Sequence, residues 1–120
     1  MRLDHINIRA VDQEAMRDFL VATLGLEVGF RPPFDFAGYW LYLGDQPIVH
    51  MQAPRASDGA AGRGWVDHIA FGPFDFDEQC ARLDKASVPY RIGGVPGTPV
   101  RQIFVEGPEG IKLELQCPAK

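Results

Sequence analysis

The sequence predicts an α+β protein built from two tandem βαβββ modules, whose curved mixed sheets together form a cup. The main observation is an internal repeat, because the strand-like segment LDHINI at 3–8 recurs as VDHIAF at 66–71, 63 residues later. In both places an amphipathic helix and three more strand-like segments follow in the same order. The 120-residue chain is therefore expected to be a single domain with modules at 1–52 and 65–117.

Each module has a helix directly after its first strand. In the first module Asp12 is the predicted N-cap and Gly25 the residue just beyond the C-terminus. In the second module Asp75 takes the equivalent N-cap position, with Glu78 three residues later as in a capping box. Apolar side chains recur at helical spacing in both segments: Ala15, Met16, Phe19 and Leu20 in the first, and Phe76, Cys80 and Leu83 in the second.

Three strands are expected after each helix. They are predicted near 26–31, 39–43 and 47–52 in the first module, and near 89–92, 100–106 and 111–117 in the second. Between the modules, residues 53–64 (APRASDGAAGRG) contain no large apolar side chain, which is typical of a flexible connection. A module of about 50 residues cannot bury both sides of its own sheet, so we expect the modules to pack together or to pair between chains.

Composition narrows the class of function. The chain has 12 Lys and Arg against 16 Asp and Glu, a net charge of −4 without a basic run, which argues against a nucleic-acid partner. No apolar stretch is long enough to cross a bilayer, and the start MRLDHINIRA lacks the pattern of a signal peptide. We therefore expect a cytoplasmic protein with no membrane partner. Cys80 and Cys117 have no metal-site spacing and are expected to be free thiols.

All three histidines fall at positions that the repeat makes equivalent. DHI at 4–6 recurs at 67–69, and IVHMQ at 48–52 matches KLELQ at 112–116, which places a histidine and a glutamate at the same point of the two modules. Imidazole and carboxylate groups are the ligands that Zn²⁺, Ni²⁺, Fe²⁺, Mn²⁺ and Co²⁺ accept. We predict one divalent metal ion per site, with four ligands: His5, His50, His68 and Glu114. The alternative is a cup that binds organic ligands without a metal.

Four further roles follow from the strand pattern. Asn7 lies two residues beyond His5 on the same strand face, where its amide can orient substrate or bound water. Trp40 belongs to an aromatic segment between the second and third strands and is a candidate substrate contact. Arg101 is the preferred candidate for binding a carboxylate or phosphonate. Glu114 is the one carboxylate on the inferred inner faces of the ligand strands, and is the candidate catalytic base.

These features resemble the vicinal oxygen chelate superfamily, also called the glyoxalase/bleomycin resistance/dioxygenase superfamily. The resemblance covers nearly the whole chain and rests on DHI in both modules, LGLEVG after the first helix and FVEGPEGIKLEL at the close. It implies the vicinal oxygen chelate fold, with metal ligands on the first and fourth strands of each module, at His5, His50, His68 and Glu114. Two positions depart from the family pattern: His50 stands where metal-dependent glyoxalase I typically has glutamate, and Gly107 stands where the closing turn usually has aspartate.

The resemblance implies an enzyme acting on a small, oxygen-chelating substrate. The leading expectation is a metal-dependent lyase or isomerase that stabilises an enediolate or oxyanion, with thiol conjugates among its substrates. The alternatives are an extradiol-type Fe(II) dioxygenase, a thiol transferase, in which Asn7 replaces the family's threonine, and a metal-free antibiotic-binding protein. The resemblance also implies a homodimer, with metal sites built either within one chain or from modules of two chains.

Overall fold

The computed structural model describes residues 3–55 and 68–119, and the chain divides into two compact units, Met1–Ala61 and Gly62–Lys120. The first unit contains β1 (Ile6–Arg9), α1 (Gln13–Leu24), β2 (Glu27–Gly29), β3 (Gly38–Leu43) and β4 (Gln46–Gln52). The second contains β5 (Ile69–Phe71), α2 (Phe76–Lys85), β6 (Arg91–Gly94), β7 (Arg101–Glu106), a 3₁₀ turn (Pro108–Gly110) and β8 (Lys112–Cys117). The predicted α+β class and the βαβββ order of both modules are confirmed.

The two units have the same sheet topology. The strand orders are β1-β4-β3-β2 and β5-β8-β7-β6, so the last strand of each unit lies between its first and third strands. The first and last strands pair in parallel, and the other pairs are antiparallel. In the parallel pairs Asn7 is in register with His50, and Ala70 with Glu114. His50 and Glu114 are therefore equivalent in three dimensions as well as in sequence.

The predicted helix caps are present. The side chain of Asp12 accepts a hydrogen bond from the backbone N–H of Ala15 at 2.9 Å, and Asp75 accepts one from Glu78 at 3.0 Å. Gly25 ends α1 in the left-handed conformation, with φ of 72°, and its N–H donates to the carbonyl of Val21. Because that conformation is costly for residues with a Cβ, glycine is the favoured residue at this position.

Strand alternation separates an apolar face from a polar face in each sheet. Along β4 and β8 the buried apolar residues alternate with polar ones, as the sequence predicts. In α2, Leu83 is buried as predicted, whereas Phe76 and Cys80 are only partly covered and Gln79 is buried instead. Within the described residues, neither helix has the length and apolar content of a bilayer-spanning segment. The largest buried apolar side chains are Leu20, Leu41, Val49, Met51, Leu83, Ile103, Val105, Leu113 and Leu115.

Four predicted segments differ by two residues or more at an end, and one of them, predicted near 89–92, is the strand Arg91–Gly94. The strands predicted at 3–8 and 66–71 begin at Ile6 and Ile69, since parallel pairing starts at Ile6 with Val49 and at Ile69 with Leu113. Residues 66 and 67 lie outside the described residues, as does most of the predicted connection at 53–64. The strand predicted at 26–31 is shorter, at Glu27–Gly29. Two prolines follow it at 32 and 33, and proline has no N–H to extend the ladder.

Replacing the N-cap of α2 tests the contribution of capping to stability. We expect Asp75→Ala to lower the free energy of unfolding by about 1 kcal/mol, because the N–H of Glu78 loses its acceptor. Asp75→Asn keeps a side-chain oxygen at the same place and is expected to retain most of that stability. Urea denaturation followed by circular dichroism measures both. An equal loss in the two variants would contradict the capping interpretation.

Candidate functional site

His50 is held in a stack of three aromatic rings on the polar face of the first unit. Its imidazole lies 3.9 Å from the His5 ring, centroid to centroid, with an interplanar angle of 12°. The Trp40 indole stacks on its other side, also at 3.9 Å, with an angle of 5°. Trp40 is the residue of β3 in register with His50, so the strand pairing itself supplies this contact. The stack therefore fixes the plane of the imidazole.

The Nε2 atom of His50 is buried and has no hydrogen-bond partner among residues 3–55 and 68–119. Burial lowers the pKa of His50 from its ordinary value, and the nearby His5 lowers it further, while the Pro47 backbone and Asp4 oppose the shift. The ring is accordingly neutral at pH 7. A buried polar atom without a partner costs about 1–3 kcal/mol, so this nitrogen is expected to bind a water molecule or a ligand. A neutral imidazole nitrogen is a common metal ligand in proteins.

His5 lies immediately before β1 and is exposed. Its Nδ1 is 2.7 Å from a carboxylate oxygen of Asp4. A neutral imidazole that donates from Nδ1 to a carboxylate carries its lone pair on Nε2, which is the arrangement that orients metal-binding histidines. Asp4, the aspartate of the first DHI motif, thus has the role of orienting the His5 ring. The corresponding aspartate, at position 67, lies outside the described residues.

The second unit brings His68 and Glu114 together. His68 lies immediately before β5, and its Nε2 is 2.9 Å from Oε2 of Glu114. Glu114 is 8% exposed, although it is a carboxylate in the middle of a strand. Its other oxygen, Oε1, accepts a hydrogen bond from Nε2 of Gln116 at 2.8 Å and a short one from Nε2 of Gln102. Three neighbouring side chains therefore satisfy this nearly buried carboxylate.

The four predicted ligands thus occur as two equivalent pairs. Within the described residues of each unit, no third His, Cys, Asp or Glu joins its pair to form a cluster. Two ligands that each lie about 2.0–2.2 Å from one ion are about 3.0 Å apart at octahedral angles and about 3.4 Å apart at tetrahedral angles. The 2.9 Å between His68 and Glu114 is an ordinary hydrogen-bond length and is close to the octahedral spacing, and Nε2 of His50 is a further nitrogen donor. In donor chemistry the residues present fit a divalent ion, which accepts imidazole nitrogen and carboxylate oxygen as ligands.

The predicted substrate contacts divide into two groups. Trp40 stacks on His50, and Asn7 is in register with it, accepting a long hydrogen bond of 3.4 Å from Gln52. Arg101 lies elsewhere: it is in register with the buried Cys117, on the sheet face opposite Glu114. Its guanidinium carbon is 3.3 Å from the centroid of the Phe76 ring in α2. The structure therefore places Asn7 and Trp40 beside a predicted ligand, but not Arg101.

The residue beside Glu114 is Gln102 rather than Arg101. Arg101, and not Gln102, is the residue that the sequence predicts to bind a carboxylate or phosphonate. The signal that favours Gln102 is alternation, because Ile103 and Val105 are buried and the residues that alternate with them, Gln102 and Phe104, face the other way. Phe104, on that same face, is in register with Glu114 as Trp40 is with His50.

The sequence of residues 2–115 matches the family model of the Glyoxalase/Bleomycin resistance protein/Dioxygenase superfamily. Because this match covers almost the entire chain, the protein belongs to that superfamily. Among curated proteins there is no significant match. The family resemblance drawn from the DHI repeat and the closing segment is confirmed.

Solved structures of similar fold include proteins with different activities. A glyoxalase family protein from Bacillus anthracis is 23% identical, with a TM-score of 0.72 over 99% of this chain and 96% of its own. Lactoylglutathione lyase from Agrobacterium tumefaciens is 18% identical, with a TM-score of 0.70 over 97% and 92%. The fosfomycin resistance protein FosX from Listeria monocytogenes is 17% identical, with a TM-score of 0.73 over 99% and 94%. At these identities the similarity shows the fold alone.

The environment of His50 can be tested by titration. We expect its imidazole to protonate at a pH below the ordinary histidine value of 6.5, because burial and His5 both disfavour the charged form. In a His5→Ala variant the midpoint is expected to rise partway, since only the burial contribution remains among the two causes that lower it. Nuclear magnetic resonance of the histidine ring protons gives both midpoints, with a His50→Gln variant for assignment. A His50 midpoint at or above 6.5 in the unaltered protein would contradict this account.

Proposed function

We propose that this protein is a divalent-metal-dependent enzyme in which His5, His50, His68 and Glu114 bind one ion, namely Zn²⁺, Ni²⁺, Fe²⁺, Mn²⁺ or Co²⁺. The observation that carries the proposal is the contact of 2.9 Å between His68 and Glu114, at a place equivalent to that of the His5–His50 pair. The buried, unpartnered Nε2 of His50 supports the same conclusion from the first unit. His5 is exposed and able to turn toward an ion, whereas Trp40 restrains His50.

The reaction we propose is proton transfer on a small 2-oxo or 2-hydroxy substrate, thiol conjugates included. A divalent ion with three neutral imidazoles and one carboxylate keeps a positive charge and polarises substrate oxygens as a Lewis acid. Oε2 of Glu114 is the proposed proton acceptor, since Oε1 is already occupied by two amide donors. Asn7 and Trp40 offer an amide and an aromatic face for the substrate beside His50. This is the chemistry of a lyase or isomerase.

An extradiol-type Fe(II) dioxygenase is the second candidate. The observation that favours it is the burial of Nε2 of His50, because a ring that stays in the stack with this atom covered leaves two histidines and one glutamate as ligands. Two histidines and one carboxylate form the ligand set of non-haem Fe(II) oxygenases. The number of histidines that bind the ion therefore separates the two candidates.

Metal content tests the proposed ligand set. We expect protein purified without a chelating tag to hold about one divalent ion per site, and Glu114→Ala or His68→Ala to lose it while the fold is retained. The fold is expected to survive because both side chains lie on the polar faces, opposite Leu113 and Leu115. Elemental analysis gives the metal content and circular dichroism the fold. Glu27→Ala, which removes an exposed carboxylate from β2, is the control.

Activity assays complete this test. Turnover of a hemithioacetal with Ni²⁺ or Zn²⁺ supports the lyase, and O₂ uptake on catechols with Fe²⁺ supports the dioxygenase. Glu114→Gln is expected to reduce lyase turnover, because an amide cannot accept the proton. Full activity in metal-free protein would overturn both candidates.

We also propose that the protein is a homodimer. The edge strands β2 and β6 expose apolar side chains in or beside them: Val28 is 53% exposed, Phe30 74% and Ile92 51%. Exposed apolar residues on strand edges favour association with another chain.

Mixing two inactive variants shows whether a site takes ligands from two chains. We expect His5→Ala and Glu114→Ala, each inactive alone, to recover up to about a quarter of wild-type metal binding when refolded together in equal amounts, if sites are shared. The reason is that half of the dimers are mixed, and each mixed dimer has one intact site of two. Refolding each variant alone is the control. No recovery at any mixing ratio would show that each site belongs to one chain.

A further inference from the structure

Two glutamine amides converge on one oxygen of Glu114. Gln116 lies two residues beyond Glu114 on β8, and Gln102 is in register with Gln116 on the neighbouring strand β7. Since side chains alternate along a strand, these three residues share one sheet face. Both amide nitrogens donate to Oε1, and neither donates to Oε2.

This arrangement makes the two carboxylate oxygens unequal. A carboxylate oxygen has two lone-pair sites, and two N–H donors occupy both of those on Oε1. Oε2 is the oxygen that contacts His68, at 2.9 Å. A cation that approaches the His68–Glu114 pair therefore meets one available carboxylate oxygen. Hydrogen bonds to ligating groups orient those ligands in the same way in known metal sites.

We propose that Gln102 and Gln116 are positioning residues that restrict Glu114 to binding the metal ion through Oε2 alone. The inference rests on the proposed function and deepens it. A carboxylate that binds through both oxygens takes two positions around an ion, whereas one that binds through a single oxygen takes one. The pair of amides thus keeps a position open for a substrate that binds through two neighbouring oxygens.

Among the described residues of the first unit, Nε2 of His50 has no partner, so this arrangement has no counterpart there. Gln52 occupies the position in β4 that Gln116 occupies in β8, two residues beyond the predicted ligand. Its amide donates to Asn7 at 3.4 Å rather than to His50. Gln52→Met is therefore a matched control for the loss of a glutamine at an equivalent place.

The test uses Co²⁺ as the metal and acetohydroxamate, a chelator with two neighbouring oxygens, as the probe. The double variant Gln102→Met/Gln116→Met removes both donors at similar side-chain volume. We expect it still to bind Co²⁺, with weaker visible absorption because the coordination number rises when Oε1 also binds. Acetohydroxamate affinity is expected to fall by about tenfold or more, and Gln52→Met to behave as wild type.

The single variants Gln102→Met and Gln116→Met retain one donor each and extend the test if the double variant does not fold. Each is expected to give a smaller change of the same sign. Co²⁺ spectra and acetohydroxamate affinities equal to wild type in all folded variants would overturn the inference and leave the amides a purely structural role. Loss of Co²⁺ binding in the double variant would also overturn it, since two freed oxygens should bind at least as well as one. Failure of the wild-type protein to bind any divalent ion would instead overturn the proposed function.

Discussion

The parallel pairing of the first and last strands of each unit determines the positions of all the candidate ligands. Parallel neighbours need a long connection, which here consists of a helix and two further strands, so β4 and β8 each acquire a neighbour on both sides. A central strand buries its side chains more than an edge strand does. His50 and Glu114 lie on these central strands, and His5 and His68 lie at the beginnings of the strands beside them. In each unit the parallel strand pair thus places a largely buried candidate ligand, His50 or Glu114, next to an exposed one, His5 or His68.

The two shielded donors are accommodated by different physical means. Glu114 carries charge, and its burial requires the hydrogen bonds from Gln102 and Gln116 and the contact with His68. His50 lies between the stacked rings of His5 and Trp40, and burial and His5 lower its pKa, which favours the neutral ring. The two units therefore have a donor at the same position, and the residues around it differ because Glu114 is charged and His50 is not.

A single carboxylate limits the chemistry of the proposed enzyme. With histidine at position 50, Glu114 is the one proposed ligand that can take a proton from the substrate while carrying a negative charge. Holding Oε1 by two amides leaves that function to Oε2, which is also the oxygen nearest His68. Metal binding and proton transfer would then both depend on Oε2, so the orientation of the Glu114 carboxylate matters more than it would at a site with two carboxylates.

Much of the fold and the pairing of the candidate ligands within each unit could be predicted from the sequence, because both depend on local patterns. The repeated DHI segments, the caps Asp12 and Asp75 and the alternation in β4 and β8 are short-range signals, and each appears in the structure where the described residues include it. Alternation places Gln102 on the face opposite Ile103 and Val105, but only the tertiary structure decided that its amide reaches Glu114. The register of β7 against β8 sets that outcome, and a shift of one residue would exchange the two faces. The stack on Trp40 likewise depends on strand pairing between residues distant in sequence, which local periodicity does not specify.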